Sequence, residues 1–309
     1  MIMRGEVHLM EPSAIQGTPD IIFPHLGIII KQLDRVAFTV FGLPVYWYGV
    51  FMGLAILAGL MVAAREAKRV GLGAEVFYDF IFVAIIACVI GSRIYYVVFS
   101  WDTYKDDLIS IFNLRKGGLA IYGTFIAGLI TAYVFTRVKK IEFWRFGDCA
   151  VMGLILGQII GRLGNFVNRE AFGGYTDSLF AMQYLREKVE HAHIPQDILS
   201  HITMINGAEY IQVHPTFLYE LLWNLCIFIL MNLYKKHKKF DGEIAAMYFL
   251  GYGIGRLWIE GLRTDQLILF GTGIAVSQIV SVALVIGGVV LFIYKRRNLS
   301  KPDTDVIVK

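Results

Sequence analysis

The sequence predicts an all-α polytopic membrane protein with about seven transmembrane helices and a small extracytoplasmic head segment. Of its 309 residues, 56% are hydrophobic and only 17% are charged, against roughly 25% charged residues in average soluble domains. The mean hydropathy of +0.58 agrees with a membrane location. The basic residues punctuate apolar runs instead of gathering on a soluble face, so no nucleic-acid partner is expected.

Seven apolar stretches are long enough to cross a bilayer, which takes about 20 mostly apolar residues in a helix. They are Val45–Ala64, Val76–Phe99, Leu119–Val138, Phe146–Arg162, Pro215–Tyr234, Glu243–Ile259 and Thr272–Tyr294. Glycines and polar residues interrupt the third, fourth and sixth of them. We therefore expect a single membrane domain, with spans one to four within 45–165 and spans five to seven within 214–294.

Three segments lie outside these spans. The polar segment 166–213 is expected to form the extracytoplasmic head, with short helices or strands of its own. Segment 1–44 is expected on the same side, with Ile21–Phe41 along the membrane interface, and 295–309 is expected to be a cytoplasmic tail. Residues 1–40 show no cleavable signal-peptide pattern, so the first span is expected to direct insertion.

The distribution of basic residues predicts the orientation. Four clusters fall on one side of the membrane if all seven spans are real: Arg65, Lys68 and Arg69; Arg137, Lys139, Lys140 and Arg145; Lys235, Lys236, Lys238 and Lys239; Lys295, Arg296 and Arg297. The positive-inside rule makes that side the cytoplasm. The N-terminus is then outside and the C-terminus inside, while the outer loops carry Lys105, Arg115, Lys116 and Arg263.

With this orientation, five polar motifs converge on the outer half of the bilayer although they belong to five different spans. They are PVYWYG (44–49), RKGGLAIYG (115–123), GRLGNFVNRE (161–170), VHPTFLYE (213–220) and GRLWIEGLR (255–263). Polar side chains at this depth are costly and usually functional. Their segregation to one side of the membrane therefore indicates a shared site.

The residue types in these motifs suit an anionic ligand. Arg162 and Arg256 carry planar cations that match phosphate or carboxylate, and Glu260 lies at i+4 from Arg256, where the two side chains can pair. Asn165 and Asn168 supply amide donors and acceptors. No metal or cofactor is expected, because the three cysteines lie in apolar runs and form no ligand pattern.

Structural roles remain open for the same residues. Arg256 could form a purely structural ion pair with Glu260, and Arg162 could anchor its helix at the interface. The asparagines could join helices through interhelical hydrogen bonds. His214 could cap the helix that follows it, and Tyr48 could be part of an interfacial aromatic belt.

The segment GRLGNFVNREAFGG (161–174) resembles the signature of the prolipoprotein diacylglyceryl transferases, G-R-x-G-N-F-x-N-x-E-x-x-G. Every fixed position is matched, by Gly161, Arg162, Gly164, Asn165, Phe166, Asn168, Glu170 and Gly173. The resemblance extends through WYG (47–49), GGLAIYG (117–123), HPTFLYE (214–220) and RLWIEGLR (256–263). It therefore covers nearly the whole chain.

The resemblance implies an enzyme of the bacterial cytoplasmic membrane. Members of this family transfer the diacylglyceryl group of phosphatidylglycerol to the lipobox cysteine of a prolipoprotein, forming a thioether and releasing glycerol phosphate. Carried over by motif, the phosphatidylglycerol-binding residues would be Arg162, Asn165, Asn168, Glu170, Gly173, Tyr48 and His214. The catalytic residues would be Arg162, Arg256, Glu260 and Tyr122, with Glu170 and Glu260 holding the arginines in register.

Tyr122 departs from the family pattern, because many relatives have at this position a histidine that is regarded as the general base. A free tyrosine titrates near pH ~10 and is a poor base at neutrality. A cysteine thiol with a pKa of about 8.5 is already partly ionised near pH 7, and neighbouring arginines would increase that fraction. We therefore expect electrostatic stabilisation by Arg162 and Arg256 to contribute more than a strong base.

The alternative from a different class is a transporter or channel for an anionic solute. Such a protein would show inverted repeats and broken midplane helices, and the sequence shows neither. A structural membrane scaffold would tolerate substitutions in all five motifs. An intramembrane protease is disfavoured, since the chain has no G-x-S-x-G or H-E-x-x-H motif.

Overall fold

The computed structural model describes residues 17–114, 117–189, 194–269 and 271–299. Arg115 and Lys116 of the outer loop, residues 1–16 of the N-terminal segment and residues 300–309 of the expected tail lie outside this description. The chain forms two compact units. The first consists of the chain up to Ala58 together with the chain from Leu154, and the second is Gly59–Gly153.

Seven long helices coincide with the seven predicted spans. They are α1 (Trp47–Arg69), α2 (Glu75–Phe99), α4 (Ile121–Val138), α5 (Phe143–Asn168), α7 (Thr216–Tyr234), α8 (Glu243–Leu262) and α9 (Val276–Leu299). Six of them are apolar enough to be candidate spans, and α8 is the exception, although its 20 residues give it the length. Among its residues are Glu243, Arg256 and Glu260, and α8 packs against both α7 and α9. The described part of the protein thus has six to seven candidate spans.

Helix α5 continues to Asn168, six residues beyond the predicted end of span four. It ends where the chain turns at Arg169, whose φ of 56° is left-handed. The polar signature therefore begins within the last two turns of a helix. A side chain placed there is held by a rigid backbone and not by a loop.

The expected head segment 166–213 and part of the N-terminal segment together form an antiparallel five-stranded sheet in the order β2-β1-β5-β7-β6, and we call this whole region the head. Its strands are β1 (Ile21–Phe23), β2 (Ile28–Ile30), β5 (Met182–Leu185), β6 (Thr203–Ile205) and β7 (Ala208–Val213). The short helix α6 (Gln196–Leu199) precedes β6. The protein is therefore a mostly helical membrane protein with a small sheet region, in agreement with the predicted fold class and with the short helices or strands expected in the head.

Strand β1, at the start of the stretch Ile21–Phe41 that is expected along the interface, belongs to this sheet. Ile21 pairs with Tyr184 of β5, and both side chains are fully buried in the head core. Strand pairing satisfies the backbone groups of β1 and removes its isoleucines from solvent, which an interfacial helix would not do. The second half of the stretch behaves differently: β3 (Val36–Val40) and β4 (Leu43–Tyr46) form a separate two-stranded hairpin that leads into α1.

The second unit contains α2 packed against α4, with the short helix α3 (Trp101–Tyr104) and a 3₁₀ turn at Leu108–Phe112 between them. Arg93 of α2 is buried and donates hydrogen bonds to the carbonyl oxygens of Ile111, Gly117 and Gly118 at 2.7, 2.8 and 2.9 Å. Backbone carbonyls thus satisfy this guanidinium. They also fix the loop that leads into α4.

Candidate functional site: a carboxylate between two arginines

Three helices of the first unit bring together two arginines and one carboxylate. Arg162 Nη2 of α5 lies 2.5 Å from Glu220 Oε1 of α7, and Arg256 Nη1 of α8 lies 2.9 Å from Glu220 Oε2. The Glu220 side chain is 3% exposed, while those of Arg162 and Arg256 are 19% and 14% exposed. A single buried carboxylate therefore bridges two guanidinium groups that still reach the surface of the protein. We call these residues, together with Glu260, the arginine cluster.

Glu260 completes the cluster from within α8. Its Oε2 forms an ion pair with Arg256 Nη2 at i+4, which confirms the pairing expected from the sequence. Arg263 lies farther along, with Nε 3.9 Å from the same oxygen, and it pairs with Asp265 at 2.7 Å. Burial works to raise the pKa of the Asp265 carboxyl, but the hydrogen bond and charge of Arg263 outweigh it and lower that pKa overall.

Asn165 links the cluster to the end of α5. Arg162 Nη1 donates to Asn165 Oδ1 at 3.0 Å, and Asn165 Nδ2 donates to Glu170 Oε1 at 2.8 Å. Glu170 therefore connects to Arg162 through the asparagine, whereas the carboxylate paired directly with Arg162 is Glu220. This differs from the expectation that Glu170 would itself hold an arginine. Glu170 follows the left-handed turn after α5, and that turn sets where its side chain points.

Asn168 contributes its backbone here. Its carbonyl oxygen accepts a hydrogen bond from Arg35 Nη2 at 2.9 Å. This bond connects the end of α5 to segment 1–44, which we call the N-terminal arm. Asn168 is the last residue of α5, about one turn beyond Asn165.

Tyr48 and Gly164 form a close contact between α1 and α5. A Cβ atom on Gly164 would lie 2.7 Å from Tyr48 Cδ2, so only glycine allows the ring to pack at this position. Arg162 precedes Gly164 by two residues on α5. The contact therefore fixes the start of α1 at the level of the arginine cluster.

Gly173 lies where three chain segments meet. Its N–H donates to the carbonyl of His214 at 3.0 Å, and an added Cβ would lie 2.8 Å from both His214 Cβ and the Leu262 carbonyl oxygen. His214 Nδ1 lies 3.2 Å from Tyr219 Oη, and burial lowers the pKa of the imidazole. Because Gly173 has no side chain, the start of α7 and the end of α8 can both approach its backbone closely.

Tyr122 belongs to the second unit, where it is the second residue of α4. Its ring lies 6.4 Å from the ring of Tyr95 on α2, centroid to centroid. The loop before it is the one fixed by Arg93. The first unit brings together five of the candidate residues, whereas Tyr122 lies in the second unit. The five are Arg162, Asn165, Glu170, Arg256 and Glu260.

Glu220 is the residue that the sequence-based assignment of site residues omitted. Its signal was present, because a glutamate inside the apolar run FLYELLWN (217–224) is an ionisable residue within a predicted span. The sequence did not indicate that both arginines would choose the same carboxylate. Which carboxylate pairs with both arginines depends on how α7 packs relative to α5 and α8. Gly255 of α8 contributes, since it lies against the Trp223 indole of α7.

The arrangement suits an anionic group delivered from the membrane. A guanidinium carries five N–H donors in a planar fork, and the ion pairs of the cluster engage its terminal nitrogens. In a poorly hydrated site, electrostatic interactions with a phosphate are stronger than in water. The fold and this site define a polytopic membrane protein whose arginines, on separate helices, are suited to a lipid phosphate.

Comparison with known proteins shows the family of the chain. The family model "Prolipoprotein diacylglyceryl transferase" matches residues 35–294. The chain is 41% identical over 276 residues to the phosphatidylglycerol–prolipoprotein diacylglyceryl transferase of Clostridioides difficile (strain 630), covering 87% of this chain and 100% of that protein. It is 39% identical to the enzyme of the same name from Halalkalibacterium halodurans, covering 87% of this chain and 88% of that protein. The chain belongs to the prolipoprotein diacylglyceryl transferase family, and the resemblance read from its signature is confirmed.

Proposed function

We propose that the arginine cluster is the site at which this chain binds the phosphate of phosphatidylglycerol and stabilises its departure. The chain is a phosphatidylglycerol–prolipoprotein diacylglyceryl transferase, and its substrates are phosphatidylglycerol and prolipoproteins. The single observation that carries the site assignment is the bridging of Arg162 and Arg256 by Glu220 at 2.5 and 2.9 Å. Glu220 holds both guanidinium groups close enough to act on one phosphate.

The charges of the cluster support this role. The two arginines are balanced by Glu220 and Glu260, so the cations are stable at depth before a lipid arrives. An isolated buried guanidinium would be far more costly. The N–H donors not engaged by carboxylates are then available to a phosphodiester, which carries one negative charge. Preorganised donors of this kind need little rearrangement when charge develops on the leaving group.

In the reaction, the sulfur of the lipobox cysteine attacks the C3 carbon of the diacylglyceryl group. The S–C bond forms as the bond between that carbon and the phosphate oxygen breaks, and the electron pair leaves with glycerol phosphate. Arg162 and Arg256 neutralise the charge that grows on this phosphate. The thiol proton passes to solvent or to the departing phosphate, so no redox step or additional reactant is needed.

The remaining residues are assigned supporting roles. Asn165 would orient the headgroup while keeping Arg162 in position, and Glu170 would in turn orient Asn165. Asn168 would supply an amide at the helix end, and Tyr48 and His214 would line the lipid cavity. Tyr122 would contribute through position and not as a strong base, because a free tyrosine titrates near pH ~10 and is a poor base at neutrality. Gly173 would preserve the close approach of three segments.

The orientation is part of the proposal. The four basic clusters place the C-terminus in the cytoplasm by the positive-inside rule, and the arginine cluster then faces the outer leaflet of the bacterial cytoplasmic membrane. This is the side on which a secreted prolipoprotein emerges. Both substrates therefore reach the cluster from the outer surface of the same membrane.

A transfer assay tests the site assignment. Purified protein in lipid is incubated with phosphatidylglycerol labelled in its acyl chains and a lipobox peptide, or the same peptide with serine in place of cysteine. Label is expected only on the cysteine peptide. Arg162→Ala is expected to lower kcat/KM by at least about 100-fold, as for loss of a transition-state charge partner. The matched control is Arg186→Ala, which removes an exposed head arginine paired with Glu209. Near-normal transfer by Arg162→Ala would refute the assignment.

A further inference from the structure

The hairpin formed by β3 and β4, residues 36–46, is apolar and lies largely outside the protein core. Its sequence VAFTVFGLPVY contains no charged residue. Phe41 at the tip is completely exposed, Leu43 is 71% exposed and Phe38 is 53% exposed. We call residues 36–46 the apolar hairpin. A patch of this kind on a protein marks an interaction surface.

The tip of the apolar hairpin has an unusual backbone. Phe41 and Gly42 form its two-residue turn with φ of 50° and 79°, both left-handed. Asparagine, aspartate and glycine are the usual residues in such turns, and a bulky residue with positive φ is a conformational outlier. The chain thus accepts strain to present an aromatic ring at the point farthest from the base of the hairpin. Strain of this kind supports an inference of function.

The base of the apolar hairpin, by contrast, is firmly attached. The N–H of Trp47 donates to the carbonyl of Arg35 at 2.9 Å, which closes the hairpin at the start of α1. Arg35 Nη2 donates to the carbonyl oxygens of Asn168 at 2.9 Å and Lys188 at 3.2 Å. The hairpin therefore projects from a fixed point at the end of α5, and its exposed apolar tip is held in a defined place.

Backbone chemistry restricts where such a hairpin can lie. A two-stranded ribbon has two edges whose N–H and C=O groups need partners, so it is unsuited to the hydrocarbon core. Its aromatic and aliphatic side chains, on the other hand, are costly in water. The membrane interface satisfies both requirements, since backbone groups meet water and headgroups there while rings enter the acyl region. Trp47 and Phe51, stacked at 5.8 Å just beyond the hairpin, begin a helix that is itself a candidate span.

We propose that the apolar hairpin inserts Phe38, Phe41 and Leu43 into the lipid interface beside the arginine cluster and helps the donor lipid to reach it. The partner is the bilayer, because the hairpin continues without a break into span α1. Its level follows from Tyr48, two residues past the hairpin, which packs on Gly164 near Arg162. Assignment to the donor leaflet rests on the function proposed above, whereas lipid contact does not.

Site-directed spin labelling tests the lipid contact. In a background with Cys88, Cys149 and Cys226 replaced by alanine, a nitroxide is attached at Phe41→Cys in vesicles containing phosphatidylglycerol. The matched control is Met204→Cys on the hairpin formed by β6 and β7, since Met204 is also apolar and 58% exposed but that hairpin turns at Asn206–Gly207. We expect the Phe41 label to be accessible to oxygen and shielded from a nickel chelate, and the Met204 label to show the reverse. Equal nickel accessibility at the two positions would overturn the proposal.

A second measurement tests the role in lipid delivery. Phe41→Asp is expected to raise the KM for long-chain phosphatidylglycerol in vesicles about tenfold, because a charge weakens insertion. The same variant should retain its kcat/KM for monomeric dihexanoyl phosphatidylglycerol, and Met204→Asp should change neither value. An equal loss on both donors would show that the hairpin serves only the fold and would refute its delivery role. Failure of the proposed function would instead appear as normal transfer by Arg162→Ala, with the labelling result unaffected.

Discussion

Two ion clusters in the first unit both pair arginine with a buried carboxylate, but their guanidinium groups have different further partners. In the arginine cluster, Arg162 and Arg256 meet the side chains of Glu220, Glu260 and Asn165. In the head ion cluster, Arg169 Nη2 pairs with Asp20 Oδ2 at 2.8 Å and donates to the Leu33 carbonyl at 2.5 Å, and Lys188 Nζ lies 2.7 Å from Asp20 Oδ1.

The two clusters also differ in exposure. The Arg169 side chain is 2% exposed and Asp20 is 1% exposed, whereas Arg162 and Arg256 remain 19% and 14% exposed. A guanidinium enclosed by backbone carbonyls and an aspartate joins the N-terminal arm to the end of α5. Arg162 and Arg256 are held by side chains of their own helices and of α7, and we propose that such partly exposed guanidinium groups can exchange partners with a ligand. The site is therefore proposed from the kind of partner and the remaining exposure of the arginines, and not from their burial alone.

The largest expected effect separates the clusters by activity. Arg256→Lys keeps the charge but loses the planar fork that contacts Glu220 and Glu260 together, so we expect kcat/KM for diacylglyceryl transfer to fall about 100-fold. The Tm of the variant should stay close to that of the wild type. The labelled-peptide assay and a melting curve on the same preparation measure both quantities. Wild-type transfer by Arg256→Lys would remove the distinction between the clusters.

The next largest effect is expected on the thermal stability of the head. Asp20→Ala leaves Arg169 without its carboxylate, and breaking a buried pair costs about 3 kcal/mol. We expect the head to unfold at a lower temperature while the folded fraction keeps its kcat. Differential scanning calorimetry and active-site-normalised transfer rates check this prediction. A loss of kcat with unchanged Tm would mean that the head ion cluster serves catalysis.

The pH dependence of stability provides a control on the same cluster. Burial works to raise the pKa of Asp20, but Lys188, the Leu33 N–H and the charge of Arg169 outweigh it, so the pKa lies below its ordinary value of 3.8. A lowered pKa in the folded state means that this stabilisation is complete above pH 3.8 and is lost as the pH falls through the lower value. Asp20→Asn should flatten the acid limb of a Tm-against-pH curve. An unchanged limb would contradict the assignment.

A smaller effect is expected at the contact of Gly173 with His214 and Leu262. Gly173→Ala places a Cβ 2.8 Å from both the His214 Cβ and the Leu262 carbonyl oxygen, and overpacking of this kind costs about 1–3 kcal/mol. The rate of diacylglyceryl transfer should fall about tenfold, because the start of α7 and the end of α8 must shift to make room for the added Cβ. Gly174→Ala is the matched control, because nothing lies within 4 Å of its added Cβ. Equal behaviour of the two variants in transfer and Tm would show that the contact is not limiting.

The smallest effect concerns Tyr122 in the second unit. If electrostatics at the arginine cluster dominate, Tyr122→Phe should keep at least about one third of wild-type kcat, since tyrosine is a poor base at neutrality and its loss removes no strong base. A pH–rate profile from pH 6 to 9 should keep its shape. A loss of more than about 100-fold, with a changed profile, would make Tyr122 the general base.

Much of this protein could be predicted from particular residues. Apolar runs of about 20 residues gave every long helix, because a helix satisfies its own backbone in a membrane whatever its neighbours are. The i+4 spacing of Arg256 and Glu260 gave their pair for the same local reason. The extension of α5 to Asn168 was missed, since no glycine or proline signal distinguishes a polar helix end from a polar loop in NFVNRE (165–170).

The contacts between distant segments could not be predicted in this way. The pairing of β1 with β5 brings residue 21 to residue 184, and Glu220 contacts two arginines that are 58 and 36 residues away from it along the chain. Periodicity reports which face of an element is apolar, but many partners could cover that face.

The sequence by itself determined the membrane class, the position of each span and the residue types able to bind a phosphate, because these follow from composition and local spacing. The tertiary structure decided which carboxylate joins the two arginines, which arginine is enclosed in the head and which hairpin is left apolar and exposed. These outcomes depend on packing between segments far apart in the chain, where the shape and polarity of both partners set the free energy.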